Sequence, residues 1–377
     1  MKLFEQRNQY FDSLVSQTSL RWLGQNTNHF PAHPSVKQAI LDSVESEEWH
    51  AYAPPLGLEE LRNAVIADLG LAGQSAFITD GAVEALYAAC RNLSTPGTNF
   101  VTTDPGWKWP MRFAEVSGAT VREIPIYDPK DGYRLSAEQL DAAVDEKTSI
   151  IYLVDPNNPL GVCYSEEEIK AFTDIARKVN AYFVHDSTYR DFADKHVLAA
   201  RFYPERTITI LSFSKWLGLA GMRLGALVAQ PEIVEMLAAA PPNNLGSNLL
   251  SQRAAIAGLK VKPQWMGDIN KRQRANQQRI KDNCDTIPGL FIPVFPSQAN
   301  FLVVETIDAG VTPEALCQVL CERGIMIRQG AYHTTSAGHR FVKISTTVPE
   351  QWVDDLCKEL PAAVQRAREV KNIQNLF

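Results

Sequence analysis

Cysteine is scarce. The 377 residues hold six (Cys90, Cys163, Cys284, Cys317, Cys321 and Cys357), and no two stand in C-x-x-C spacing. A disulfide framework and a thiolate zinc site are thereby excluded, leaving buried free thiols as the expectation. Cys317 and Cys321 lie four apart on a predicted helix, a spacing that core packing explains. His29 and His33 are also four apart, but Pro31 and Pro34 prevent a shared helical face, so no metal site is expected. Runs of basic residues are missing as well: 37 lysines and arginines are mixed with 43 acids for a net charge of −6, which leaves no footprint for nucleic acid. No stretch approaches about 18 apolar residues free of charge, and Met1–Arg7 has no apolar core of signal-peptide length. The expectation is a soluble, cytoplasmic protein without a membrane partner. No repeat of 20 to 50 residues and no low-complexity linker is visible, so the parts of the chain are expected to pack together.

Core material is ample, with 45% of residues hydrophobic, and the length exceeds what one core supports. One large and one smaller domain are expected. The middle of the chain alternates short β-rich runs with amphipathic stretches, which predicts an α/β fold with a mainly parallel sheet covered by helices. Predicted strands are 76–79, 99–103, 120–124, 149–154, 182–185, 207–211 and 226–229. Helices fit between them at 83–92, 108–117, 137–144, 165–178 and 231–239. Ser165 with Glu168 has the form of a capping box. From about Asn248 a long polar helical tract begins, and its basic cluster around Lys271–Arg279 reads as a solvated face. Strands at 298–304, 324–328 and 340–345, a helix from Thr312 and a last helix from Pro349 predict a smaller α+β unit.

The chemistry-bearing segments fall at strand ends. Lys215 follows the buried run Thr207–Leu211 in Leu-Ser-Phe-Ser-Lys-Trp-Leu-Gly-Leu-Ala-Gly-Met-Arg, with Ser212 and Ser214 before it and Arg223 eight residues after. Open α/β sheets bind their ligands at the carboxyl ends of strands, which marks Lys215 as a residue for chemistry. Thr79-Asp80-Gly81-Ala82-Val83 runs from a strand through glycine into a helix, whose first free N–H groups make an anion site. Trp107 follows another strand and offers a flat ring for stacking. Asn157-Asn158-Pro159 follows the strand ending at Val154, where turn formation is an alternative reason for it. Asp186 ends an apolar strand, with Tyr189 three residues on; a buried carboxylate there requires a partner.

In order and spacing this set resembles the fold-type I pyridoxal-phosphate enzymes, specifically the class I/II aminotransferase superfamily with its aspartate and histidinol-phosphate branches. The resemblance runs from about Trp22 to the C-terminal helix. It rests on Ser-Phe-Ser-Lys…Gly-Met-Arg, Asn-Asn-Pro-x-Gly, Asp-x-x-Tyr and Tyr52-Ala-Pro-Pro-Leu-Gly followed by Leu61-Arg62. It implies a seven-stranded, mainly parallel sheet sandwiched by helices. The implied division is an N-terminal segment 1–44 packing with the small domain, a large cofactor domain 45–255, and a small α+β domain 256–377.

The cofactor implied is pyridoxal 5′-phosphate. Lys215 would carry it as a Schiff base and then act as the general base at the substrate's Cα. Asp186 would keep the ring nitrogen protonated, Tyr189 and Asn158 would bond the phenolic oxygen, and Trp107 would stack on the ring. Gly81, Ala82, Val83, Ser212, Ser214 and Arg223 would take the phosphate, joined by Tyr52 of a partner subunit in a two-fold homodimer. Asn26 and Asn300 are the expected substrate neighbours.

Three positions depart from the family's pattern. Ala82 and Val83 leave the helix start without a hydroxyl, Leu160 replaces a threonine, and Lys343 stands where the family's carboxylate-binding arginine aligns. A lysine offers a point charge in place of a bidentate fork. Either Lys343 suffices, or Arg340, Arg328 or another group takes over, or the substrate lacks an ordinary α-amino-acid head. The reaction expected is transfer of an amino group between an amino acid and a 2-oxo acid. The alternatives are a lyase, decarboxylase or cyclising dehydratase on the same scaffold, or the sensing half of a transcription regulator.

Overall fold

The computed structural model describes residues 2–239, 241, 243–370 and 373. After a short strand β1 (Arg21–Trp22), seven strands form the main sheet: β2 (Ser75–Thr79), β3 (Asn99–Asp104), β4 (Thr120–Pro125), β5 (Thr148–Val154), β6 (Tyr182–Asp186), β7 (Thr207–Ser212) and β8 (Gly225–Ala229). Their spatial order is β2-β8-β7-β6-β5-β3-β4, and every pairing is parallel except the two made by β8. Strands buried on both faces read as continuous apolar runs, which is why Ile150–Val154 and Thr207–Leu211 stood out in the sequence. The predicted capping box forms: Ser165 Oγ accepts from Glu168 N at 3.2 Å, and the Glu168 carboxylate accepts from Ser165 N at 2.7 Å.

Topology decides where chemistry can occur. The carboxyl ends of β2, β3, β5, β6 and β7 all lie along one edge of the sheet. Because β8 runs the other way, its amino end, just after Arg223, joins them.

The smaller part holds β9 (Phe301–Glu305), β10 (Ile325–Met326), β11 (Arg328–Gln329) and β12 (Phe341–Ser345). β12 lies between β11 and β9, antiparallel to both. Its two faces differ. Val342 and Ile344, with Leu302 and Val304, enter the core of the small part, whereas Phe341, Lys343 and Ser345 face the large sheet with Phe301 and Val303. Period-2 alternation therefore delivers Lys343 to the boundary between the two parts.

Residues 2–44 divide between the two cores. β1 pairs with β10, and Leu14 and Leu20 pack on Met326, whereas Phe30 and Val36 join the core of the large part. Leu249–Asp285 is one continuous helix of 37 residues spanning both parts. The basic cluster in its middle is partly solvated: Lys271 is exposed, whereas Arg272 and Arg274 are half-buried and pair with Glu350 and Asp194. Asn276 and Gln277 are buried and their amides donate to Thr346 O, Val348 O, Ser297 O and Ala299 O, while Gln273, also buried, accepts at Oε1 from Gln277 Nε2 and Thr346 Oγ1. Amides on this helix satisfy backbone groups of the small part that lie beyond any sheet. No helix among the described residues is long and apolar enough to cross a membrane, and all six cysteines are unpaired.

Candidate active site

A cavity of about 430 Å³ opens at the strand-end edge, between the large sheet and β11–β12. Lys215, Asp186, Tyr189, Asn158, Trp107, Ala82, Val83, Ser212, Ser214, Arg223, Asn26 and Lys343 all line it, so the geometry brings together most of the residues expected from sequence.

Lys215 Nζ donates to the carbonyl of Gln25 at 3.3 Å. Burial, with the nearby charges of Arg223 and Arg328, brings its pKa down to about 8, against the opposing pull of Asp186. An amine so placed is substantially uncharged at mildly alkaline pH, the form needed for nucleophilic and base chemistry.

Asp186 is buried and forms no ion pair among the described residues. Its Oδ2 accepts from the Tyr152 hydroxyl at 2.9 Å and its Oδ1 from Thr188 N at 3.2 Å. Burial raises its pKa, and these donors oppose the rise. Tyr189 Oη accepts from Asn26 Nδ2 at 3.1 Å and keeps its own hydrogen to give; its ring stands edge-on to Phe301 at 5.0 Å. Asn158 Oδ1 accepts from Lys343 Nζ at 3.2 Å, leaving its amide hydrogens for another acceptor.

The anion cradle is built from Gly81 and Arg223. Gly81 precedes the helix Ala82–Leu93 at φ 89°, and no side chain caps that helix's first N–H groups. A Cβ at Gly81 would lie 2.5 Å from Arg223 Nη2, so only glycine permits the guanidinium to close over the helix start. Arg223 itself is left-handed, at φ 52°, and its Nη1 donates to Ala220 O at 2.8 Å.

Pyridoxal phosphate fits these donors on two counts. An open helix start beside an arginine suits a phosphate, and an isolated buried carboxylate suits a cationic ring nitrogen.

Two expected substrate residues lie elsewhere. Arg340 is held outside the cavity, paired with Glu305 and 5.7 Å over the Tyr127 ring, because it sits in the turn before β12 and not on its inner face. Asn300 is a layer behind, its Nδ2 bonding Asn26 O at 3.0 Å and Thr347 Oγ1 at 2.9 Å. Asn26 does line the cavity, but its amide serves Tyr189 and its Oδ1 accepts from Ser345 Oγ at 3.3 Å. Tyr52 is 79% exposed and stands outside its own chain's cavity.

The cavity also holds groups the sequence did not single out. Phe11 comes from the first helix, Trp109 from the helix after β3, and Tyr332 from the turn after β11. Arg328, named only as a substitute, is the cross-strand neighbour of Lys343 and lies 4.8 Å over the Tyr332 ring. Its one sequence signal is an arginine closing the apolar run Ile325–Ile327.

Behind the site, Asp155, His185 and His196 cluster with ligand-type atoms within 4.8 Å of one another. Ala199 N donates to His185 Nδ1 at 3.2 Å, so His185 Nε2 carries the proton and turns it toward Asp155 Oδ2 at 3.4 Å. With that lone pair absent, the group is a hydrogen-bonded brace. Burial pushes the Asp155 carboxyl up, but His196 and His185 outweigh it and hold it below the usual carboxylate range.

The model of the family "Aminotransferase class I and II" matches residues 18–360. The chain belongs to this family. Among curated relatives, the histidinol-phosphate aminotransferase of Shouchella clausii (strain KSM-K16) is 30% identical over 315 residues, covering 82% of this chain and 80% of that one. The aspartate aminotransferase of Pyrococcus horikoshii is 25% identical over 356 residues, covering 91% and 90%. Solved structures agree in fold. The N-succinyldiaminopimelate aminotransferase of Mycobacterium tuberculosis superposes with TM-score 0.84 at 23% identity, covering 93% of this chain and 95% of that one. For the Thermus thermophilus aspartate aminotransferase with maleate the TM-score is 0.81 at 21% identity, covering 96% and 94%. The chain is a pyridoxal-phosphate-dependent aminotransferase of fold type I, an enzyme that moves an amino group between an amino acid and a 2-oxo acid.

Proposed function

We propose that this aminotransferase acts on amino donors carrying an anionic group, which Arg328 and Lys343 receive, and that Lys215 moves the proton at the donor's Cα. The observation that carries this reading is the meeting of Lys215, with its pKa near 8, and Asp186, Asn158, Tyr189 and Arg223 in one cavity. Bound pyridoxal phosphate supplies a cationic ring that draws electrons from the bonds at the donor's Cα.

The chain's own groups do the rest. Asp186 holds a proton on the ring nitrogen, supported by Tyr152 and Thr188. Tyr189, oriented by Asn26, and Asn158, oriented by Lys343, donate to the ring's phenolic oxygen. The phosphate is held by the backbone of Ala82 and Val83, by Ser212 and Ser214, and by Arg223. Trp107 covers the ring. An anionic donor is supported by the lining, which holds Arg328 and Lys343 and, among the described residues, the single acid Asp186, which is already committed to the ring. The two curated relatives above are named for histidinol phosphate and for aspartate.

The proposal extends to a homodimer working in the cytoplasm, divided near residue 255 into a cofactor domain and a small domain. Tyr52, so exposed in its own chain, suits a phosphate contact across a two-fold axis. The decisive experiment mixes pure, cofactor-loaded protein with single amino acids. Accumulation of the cofactor's amine form, reversed by a 2-oxo acid, is expected; a released product without any acceptor would favour lyase or decarboxylase chemistry. Gel filtration of a fully active monomer would remove the dimer.

A further inference from the structure

Asn26 is buried and left-handed, at φ 56°. Each of its four polar groups is engaged, and three of them are held from the small part. Its N–H donates to Ser345 Oγ at 2.8 Å, its Oδ1 accepts from the same hydroxyl at 3.3 Å, and its carbonyl accepts from Asn300 Nδ2 at 3.0 Å. The fourth, Nδ2, donates to Tyr189 Oη at 3.1 Å. One serine hydroxyl thus grips the backbone and the side chain of a single residue at once, using its hydrogen and a lone pair, which fixes both the turn and the direction of the amide.

Ser345 ends β12 and is buried outside the described lining of the cavity. Its cross-strand neighbour Phe301 meets the Tyr189 ring edge-on at 5.0 Å. Two paired residues of the small part therefore hold the phenol, one at its ring and the other, through Asn26, at its oxygen. A hydrogen bond received at that oxygen polarises the O–H and strengthens what it donates onward. Burial raises the pKa of Tyr189, and the Asn26 hydrogen bond opposes the rise.

We propose that Ser345 and Asn26 form a positioning unit for Tyr189: held by the small part, the pair aims the phenol's hydrogen at the cofactor's phenolic oxygen and so sets how firmly the nitrogen joining Lys215 to the cofactor keeps its proton. The proposal rests on the aminotransferase reading above. A weaker donor leaves more negative charge on the phenolic oxygen, and a negative neighbour favours the protonated nitrogen. Both residues act through Tyr189, and neither is a reacting group.

The experiment follows the visible absorbance of cofactor-loaded, substrate-free protein against pH. In Ser345→Ala, and in Asn26→Gly, which keeps the left-handed turn without the amide, the midpoint of the colour change is expected to move up by about half to one pH unit, the equivalent of one neutral hydrogen bond. Tyr189→Phe is expected to move it at least as far, and neither substitution should add a shift in the Tyr189→Phe background. A merely structural loss would shift both backgrounds alike. An unmoved midpoint in either variant overturns the proposal, as do equal shifts with and without the Tyr189 oxygen. Should Ser345→Ala fail to fold, Asn26→Gly decides by the same readings. Those outcomes leave the aminotransferase reading intact. A wild-type protein that acquires no chromophore from pyridoxal phosphate removes both.

Discussion

Tyr152 and Asp186 are joined by a 2.9 Å hydrogen bond, phenol to carboxylate, in a part of the interior where neither is exposed to water. The two side chains leave adjacent parallel strands, Tyr152 opposite Val184 and Val154 opposite Asp186, so the phenol reaches forward along the sheet to the strand end. Burial raises the pKa of Asp186, and the Tyr152 and Thr188 hydrogens oppose the rise. Tyr152→Phe therefore raises it further, and the ionised carboxylate is lost at a higher pH. A hydrogen bond to a charged group contributes about 1.5–3 kcal/mol, so affinity for the cofactor should fall roughly 10- to 100-fold. Titration of apo-protein with pyridoxal phosphate measures the affinity, and the acid limb of kcat/KM should move to higher pH. Unchanged affinity with an unmoved limb contradicts the role.

Lys215 makes a prediction about stability in the apo-protein. Its folded pKa of about 8 lies below the 10.5 of an ordinary lysine. Between these values the unfolded chain holds the proton more firmly than the folded one, so stability increases as pH rises through that window. The penalty of burying the charged amine is fully present below the window. Lys215→Ala should lose this component of the rise and show no chromophore with pyridoxal phosphate. Denaturant midpoints of both apo-proteins across the window test it; parallel curves would rule it out.

Gly81→Ala attacks the phosphate cradle. The backbone at φ 89° disfavours any side chain, and the new methyl would collide with the Arg223 guanidinium at 2.5 Å. A loss of about 1–3 kcal/mol of stability is expected from the forced backbone. Because Arg223 is displaced, cofactor affinity should fall by at least about tenfold, the equivalent of one charged hydrogen bond. Differential scanning calorimetry with and without pyridoxal phosphate separates the two effects. Cofactor binding at wild-type strength would show that the cradle lies elsewhere.

Arg328 and Arg340 should behave oppositely. Arg328→Ala removes a cation from the cavity wall and should raise KM for the amino donor by about tenfold or more, the scale of a charged hydrogen bond. Arg340→Ala removes the cation paired with the largely buried Glu305 carboxylate, so it should lower stability while leaving KM unchanged. Steady-state kinetics of both variants decide the matter. A raised KM in Arg340→Ala alone would reverse the assignment.

Much of the site was readable in the chain because parallel strands are covered on both faces. Their apolar runs are continuous and stop abruptly, so Lys215, Asp186, Asn158 and the Gly81 turn declare themselves as the polar residues that follow. Local chemistry also survives without tertiary context: the Ser165 capping box forms as expected. Reading one segment at a time misled where neighbours decide. The basic cluster of the long helix reads as a solvated face, yet Arg272 and Arg274 are half-buried in ion pairs, and the amides of Asn276 and Gln277 just after them are buried by loops some 20 to 72 residues away in sequence.

Periodicity within about ten residues by itself marked the buried strands and the polar residues at their ends, and the motif order along the chain, through its resemblance to the aminotransferase superfamily, singled out Lys215. Only the tertiary structure decided the far wall. Phe11, Arg328, Tyr332 and Lys343 arrive from elements with no local link to the sheet, and one residue of register separates Lys343 in the cavity from Val342 in a core. Packing two sheets against each other selects that register, and no short window of sequence contains the packing.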